Sequence, residues 1–424
     1  MGSDSSKNLR AGAGKAPIDL PKGVLASEGL SGVHDPLHAR VLILQSGPSV
    51  ALVSHELTSL PEERVVEFQS LVSEVTGLAP ENVWVIVTHT LSTPHFVPAY
   101  ACKTKADSER NRLLADVVGT ALREAASLAS GSIQEVRLGH GSGVCDVNIN
   151  RDVPTADGWW LGLNESGCSD KTLSVLRLET LSGDPLALLF THSVRPAVME
   201  RPPGTGDSGL VTADLAGAAC DLVEREYVGA VAMFFMGAAG DQSPSVTGAR
   251  CQYVGKDGHP RIQEGGDRGH AVAEMVGARL GAAVVGMSEE VECWMCTGPL
   301  VPGRTSLQFG GQEPVPTPQV RPTEHHEFTP GPERSETVET VVLGDVALVG
   351  VRPELSCSTG KNIRQRSPFP ETLVLTMVNG GAKYMPDADS YERITYEAMS
   401  SPFACGSAET LAEGINHLLL EMRG

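Results

Sequence analysis

The chain has few aromatic residues, few basic residues and no long uncharged apolar run. Phe, Trp and Tyr make up 4% of its 424 residues, and 33 Lys and Arg stand against 52 Asp and Glu, a formal net charge of −19. That balance argues against nucleic-acid binding, which uses Lys and Arg to replace phosphate counterions. It also argues against stable association with an anionic membrane leaflet. Met1–Arg10 is polar and Ser-rich, without the apolar core of a secretory signal. The longest apolar stretches, around Val228–Met236 and Val341–Val351, have the length of strands and not of membrane spans. Nine scattered cysteines fit a reduced, cytoplasmic setting better than a disulfide framework. Cys293 and Cys296 have no second CxxC to complete a four-Cys zinc site, and they read as strand residues on opposite faces.

Apolar content near the globular norm and a length sufficient for one large core point to a folded domain. Strand and helix patterns alternate from end to end. Arg40–Leu44 and Ser49–Ser54 read as a hairpin over Gly47-Pro48, and Val83–Val87 as a short buried strand. Pro61–Thr76 reads as a helix with Pro61, Glu62 and Glu63 in its first turn. Further helices are expected over Arg110–Ala129, Ala213–Tyr227, Gly266–Met287 and Glu409–Met422, and further strands over Leu173–Thr180, Leu186–Phe190 and Ala230–Met236. The expected fold class is α/β, a mixed β-sheet with helices packed on it. A flexible lead over residues 1–14 precedes a single domain over 15–424, and residues 297–340 form a Pro/Gly-rich loop region without clear periodicity.

Reactive polar residues sit just past the ends of apolar strands, where α/β folds bind ligands. Thr88-His89 follows one such strand, and Thr191-His192 repeats the arrangement. Two imidazoles from different strand ends can converge on one metal ion; each can also simply cap its strand. Gly237-Ala238-Ala239-Gly240-Asp241-Gln242-Ser243-Pro244 follows a third strand. There the small residues would admit a substrate or form an anion-holding nest, Ser243 is a candidate nucleophile and Asp241 its orienter; an ordinary turn gives the same pattern. Glu354, after Val346–Val351, is a candidate carboxylate ligand or a helix-start residue, and Tyr384 a ligand or a packed phenol. Trp159-Trp160 reads as pocket lining or core. His325-His326-Glu327 reads as an exposed polar loop or a lid edge.

Taken in succession, these segments resemble the catalytic domain of the neutral, non-lysosomal ceramidase family. The likeness begins at Gly12-Ala13-Gly14-Lys15-Ala16-Pro17-Ile18, continues through Gly32-Val33-His34-Asp35-Pro36-Leu37-His38-Ala39-Arg40, and runs to Tyr396-Glu397. The resemblance implies a Zn2+ ion held by His89, His192, Glu354 and Tyr384. It places the family's Gly-Asp-x-Ser-Pro serine on Ser243, and an Asn-Arg pair that holds substrate or polarises its carbonyl on Asn150-Arg151. The chain departs from the family at Leu91, where a second His is usual, and at Ser245, where Asn is common. No C-terminal immunoglobulin-like domain is expected after the last helix.

The expected activity is zinc-dependent hydrolysis of an amide C–N bond in a small soluble N-acyl or cyclic amide through zinc-activated water. The catalytic candidates are Ser243, Arg151, Tyr384 and Asp241, and the substrate-binding candidates Asn150, Gly240, His95 and Trp160. His95 or His38 are candidates for the work of the missing His, and Asp214, Asp241 or His95 for the general acid. Alternatives are a ceramidase acting on lipid N-acylsphingosine, a serine esterase or lactonase, and a non-catalytic binding protein that kept the fold. The partner expected is a small-molecule amide, with no nucleic acid and no stable membrane association, and a second copy of the chain, as a homo-oligomer, is a further candidate.

Overall fold

The computed structural model describes residues 8–200, 209–248, 250–254, 256 and 260–424. The layers run helices, sheet, sheet, helices. The main sheet has nine strands, in the spatial order Val231–Met236, Pro185–His192, Thr172–Thr180, Gln134–Val144, Arg10–Ile18, Leu37–Gln45, Ser49–His55 and Val83–Val87, with Trp294–Met295 paired alongside Gln134–Val144. Two neighbouring pairs are parallel, Pro185–His192 with Val231–Met236 and Ser49–His55 with Val83–Val87; the others are antiparallel. The expected mixed sheet with helices on it is therefore present.

The second sheet joins Val301–Gln312, Pro330–Leu343, Val346–Gly350 and Glu371–Leu375, and its last pair is parallel. Residues such as Leu52, Trp84, Leu189 and Phe235 from one sheet meet Val341, Leu348 and Leu375 from the other. The helices Glu62–Thr76, Lys105–Gly131, Asp214–Glu226 and Gly269–Glu290 cover the outer face of the main sheet. Cys357–Arg366 and Ser407–Arg423 cover the outer face of the second. A sheet buried on both faces needs near-continuous apolar strands, which is why Val83–Val87 and Val231–Met236 contain no polar residue.

Local signals explain the element ends. Pro61 caps Glu62–Thr76 in an extended conformation, and Gly77 ends it at φ 74°. A capping box between Thr104 and Asp107 starts Lys105–Gly131 five residues before Arg110. Gly269–Glu290 corrects one expectation, because it does have the length and composition of a membrane span. Here it packs on Asp214–Glu226: a Cβ at Gly277 would lie 2.5 Å from Ala218 Cβ and 2.7 Å from Leu215 O.

Two boundaries also differ. The lead expected over residues 1–14 gives way to a strand at Arg10, and residues 1–7 lie outside those described. Gly12 and Gly14 look like linker residues but lie inside the sheet, where a Cβ would fall 2.1 Å from Ala129 O and 2.2 Å from Ala125 O of the covering helix. The loop expected over residues 297–340 is mostly the long hairpin Val301–Gln312 and Pro330–Leu343. Val301–Gln312 does alternate exposed with less exposed positions, but its inward positions include Gly303, Thr305 and Gly311, so the residue types do not show the alternation. Only residues 313–329 between the two strands stay irregular, apart from a short turn of 3-10 helix, and His325, His326 and Glu327 lie there.

His55 ends the strand Ser49–His55, fully buried beside Phe68, and neither ring nitrogen has a hydrogen-bond partner among the described residues. Burial lowers its pKa to about 4. An unfolded His55 takes a proton near pH 6.5 and the folded one does not, so stability is full above that pH and is lost as pH falls toward 4. Between pH 7 and 4.5 the parent should lose roughly 2 kcal/mol more unfolding free energy than His55→Leu in urea titrations. Equal losses in both proteins would show that His55 does not carry this acid sensitivity.

Candidate active site

Both sheets direct the carboxyl ends of their parallel strands to one region. His89 stands two residues past Val83–Val87, 7% exposed and in the left-handed region at φ 61°. A non-glycine residue there is strained, and such strain gathers at functional sites. Lys383, beside Tyr384, has φ 62°. His89 Nδ1 donates to the Thr58 carbonyl at 2.7 Å, which leaves Nε2 with its lone pair facing inward.

Glu354 and Tyr384 are matched residues in a short parallel ladder, so their side chains project on the same side. Glu354 Oε2 lies 3.4 Å from His89 Nε2. Both atoms are acceptors, so a cation or a proton belongs between them. Arg195 supplies part of that charge: its Nη2 donates to His89 Nε2 at 3.4 Å, and its Nε lies 3.9 Å from Glu354 Oε2. Burial and the neighbouring Glu354 push the Tyr384 hydroxyl well above its ordinary pKa.

Arg151 approaches from the hairpin Asn148–Thr155 and Gly158–Asn164, at a register shift between Asn150 and Asp152. Such bulges re-aim side chains beside active sites. Its Nε donates to Glu397 Oε1 at 2.7 Å, and its guanidinium carbon lies 5.3 Å from the Tyr384 ring centre and 5.8 Å from that of Tyr396. Asp152 and Glu397 are each 1% exposed. Burial first, then the Glu397 carboxylate, raise Asp152 to about 9, so Asp152 is held protonated at neutral pH beside Glu397. Behind them Asn150 Nδ2 donates to Asp241 Oδ2 at 3.2 Å, and the Cys357 amide donates to Asp241 Oδ1 at 2.8 Å. Burial raises Asp241 to about 6.

Of the residues singled out from sequence, His89, Glu354, Tyr384 and Arg151 therefore come together, with Asn150 and Asp241 supporting them. Trp160 joins the rim edge-on to Tyr396, ring centres 5.9 Å apart. His192 is turned elsewhere: Nε2 donates to the Cys145 carbonyl at 2.8 Å, Nδ1 is buried without a partner, and burial lowers its pKa to about 4. Among the described residues no group of three or more His, Cys, Asp or Glu side chains is gathered closely enough to hold a metal ion. The Gly240 amide donates to Leu355 O at 2.8 Å, so it is not free for an anion nest. Glycine is needed there because a Cβ would meet that carbonyl at 3.0 Å. Ser243 is half-buried, and no hydrogen bond among the described residues pairs its hydroxyl with a base. Asp241 is engaged with Asn150 and Cys357 and does not orient it.

His95 lies one layer behind His89, its Nε2 3.1 Å from Thr58 Oγ1 and its Nδ1 3.0 Å from Glu28 Oε2. His38 is held at Glu56, and Asp214 accepts the Val198, Met199 and Leu215 amides, so both have structural work. Arg195, Asp152, Tyr396 and Glu397 are members that sequence reasoning did not assign. Tyr396-Glu397 marked the end of the family resemblance without a role, and Asp152 and Arg195 had only nearness in sequence to Arg151 and His192, which does not reveal contact.

The raised pKa of Asp152 makes a testable statement about stability. Its folded value lies above its unfolded one near 4, so its contribution is full at low pH and is lost as pH rises toward 9. Asp152→Asn keeps a neutral side chain at every pH. It should exceed the parent in unfolding free energy at pH 8 by at least ~2 kcal/mol, with the gap closing by pH 4. A gap independent of pH would place the proton elsewhere.

No protein-family model and no curated protein sequence matches the chain. Solved structures do. The crystal structure of neutral ceramidase from Pseudomonas aeruginosa superposes with a TM-score of 0.75 at 17% sequence identity, over 98% of this chain and 75% of that one. A structure described as ceramidase complexed with C2 gives the same TM-score, identity and coverage. The likeness is one of architecture: this chain has a neutral-ceramidase-like fold.

Proposed function

We propose that the chain is a zinc-dependent amidohydrolase that cleaves the C–N bond of a small soluble N-acyl or cyclic amide. The observation that carries this reading is the buried meeting of His89, Glu354, Arg151 and Tyr384 at the strand ends of a ceramidase-like fold. The donor chemistry fits a borderline-soft cation. His89 Nε2 presents a lone pair, Glu354 Oε2 and His192 Nδ1 are buried without hydrogen-bond partners, and Tyr384 adds a phenol oxygen. His89, Glu354 and Tyr384 would hold zinc; His192, its Nε2 kept at the Cys145 carbonyl, has only Nδ1 to offer and would join as a fourth donor only by closing on the other three. Bound zinc supplies Lewis-acid polarisation of an acyl oxygen and a water acidified toward neutrality.

The chain's own groups do the positioning. Glu397 holds the Arg151 guanidinium over Tyr384, where its fixed charge opposes negative charge developing on an acyl oxygen. Thr58 fixes the His89 tautomer. Asp152 stores a proton beside Glu397 that is available to the ion-pair network. Trp160 and Tyr396 give the substrate an aromatic wall. Ser243 acts as a hydrogen-bond donor to the substrate, since no base is paired with it. A second reading, a ceramidase acting on lipid N-acylsphingosine, is favoured by the ceramidase neighbours themselves.

Elemental mass spectrometry of the purified protein should give about one zinc per chain, lost in His89→Ala and in Glu354→Gln. Arg151→Met should keep the metal and lower kcat for amide hydrolysis about 100-fold. A parent protein without zinc after growth in zinc would overturn the metal reading. Faster turnover of a fluorescent ceramide than of any soluble amide would move the assignment to the second reading.

A further inference from the structure

We propose that Cys168 and Cys357 are a site of reversible oxidation, joined as a disulfide by peroxide. The two thiols come from distant parts of the chain. Cys168 is exposed in the loop between Gly158–Asn164 and Thr172–Thr180; Cys357 is fully buried at the first turn of Cys357–Arg366. Their Sγ atoms lie 3.4 Å apart, and Cys357 Sγ also donates to the Cys168 carbonyl at 3.1 Å. Among the described residues no other two sulfurs are hydrogen-bonded. Closing the pair to a disulfide, at about 2.0 Å, asks for little movement, and the exposed loop of Cys168 can supply it.

The two residues divide the chemistry. Cys168 meets solvent, and the hydrogen bond from Cys357 lowers its pKa to about 7, so much of it is thiolate at neutral pH. The hydrogen bond and burial push Cys357 the other way. The Cys168 thiolate attacks hydrogen peroxide: the S–O bond forms, the O–O bond breaks, and sulfenic acid and hydroxide result, the hydroxide becoming water with the proton that Cys168 released on ionising. Cys357 then attacks the Cys168 sulfur: the S–S bond forms, the S–O bond breaks, and the departing hydroxide takes the Cys357 proton as a second water. Two thiols and one peroxide become one disulfide and two waters.

The pair is one hydrogen bond from the candidate site. The Cys168 carbonyl accepts from Asn150 Nδ2 at 3.2 Å and from Gln242 Nε2 at 3.0 Å, and the Cys357 amide donates to Asp241. Oxidation therefore ties the hairpin that carries Arg151 to the helix that follows Glu354. The proposal stands on these contacts and does not depend on the reaction assigned to the site.

The test treats the folded full-length protein with a small excess of hydrogen peroxide, blocks free thiols, and maps peptides by mass spectrometry without reduction. The expected product is a cross-linked peptide containing Cys168 and Cys357, lighter by two hydrogens than the sum of its parts and released by dithiothreitol. Closing a loop of this length should also raise Tm by about 2–5 °C. Cys168→Ser, at an exposed position, should lose both effects, and Cys405→Ser, at another exposed cysteine, should keep both. Cys168 recovered as sulfinic acid while Cys357 remains a free thiol would overturn the proposal, as would a cross-link between Cys168 and any other cysteine.

Discussion

The site depends on one buried ion pair, Arg151 with Glu397. The partners are 246 residues apart and belong to different layers, Arg151 to a hairpin beside the main sheet and Glu397 to a short helix, Tyr396–Ser400, beside the second. Arg151 is 5% exposed and Glu397 1%. Two charges taken so far from water gain little net stability from their attraction, and removing either partner costs about 3–5 kcal/mol. A pair of that kind is poor cement, but it fixes a guanidinium in one place and one orientation. Tyr384, Tyr396 and Glu354 are arranged around that fixed charge, and Asp152 keeps its proton because of its burial first and the neighbouring Glu397 second.

What could be read from the sequence follows from where the information sits. His89 was legible because a five-residue apolar strand ending in a polar run is a local pattern, and the strand fixes where the side chain begins. Glu354 was legible for the same reason after Val346–Gly350. The orientation of His192 was not legible. Its strand–Thr–His pattern matches that of His89, but its ring is captured by the Cys145 carbonyl, a long-range contact that periodicity does not encode. Glu397 and Asp152 are ordinary acidic residues until the fold brings them together. The four-layer arrangement was hidden too, because the inward positions of Val301–Gln312 include Gly303, Thr305 and Gly311 and the strand reads as loop. At the N-terminus, Gly12 and Gly14 suggested flexibility where the cause was helix packing.

Charge balance constrains how the centre can work. At neutral pH Arg151 and Arg195 are matched by Glu397 and Glu354, and Asp152 is neutral. His89 adds no charge while its Nε2 accepts from Arg195. A divalent cation held between His89 and Glu354 adds two positive charges to a group already balanced. A low-dielectric site tolerates that only with compensating anionic charge, from solvent, from a ligand, or from the Tyr384 hydroxyl. The same arithmetic favours a substrate that gains negative charge as it reacts. On the proposed reading, an acyl oxygen turning anionic beside Arg151 would move the whole cluster toward neutrality, so the transition state would be held more strongly than the neutral substrate.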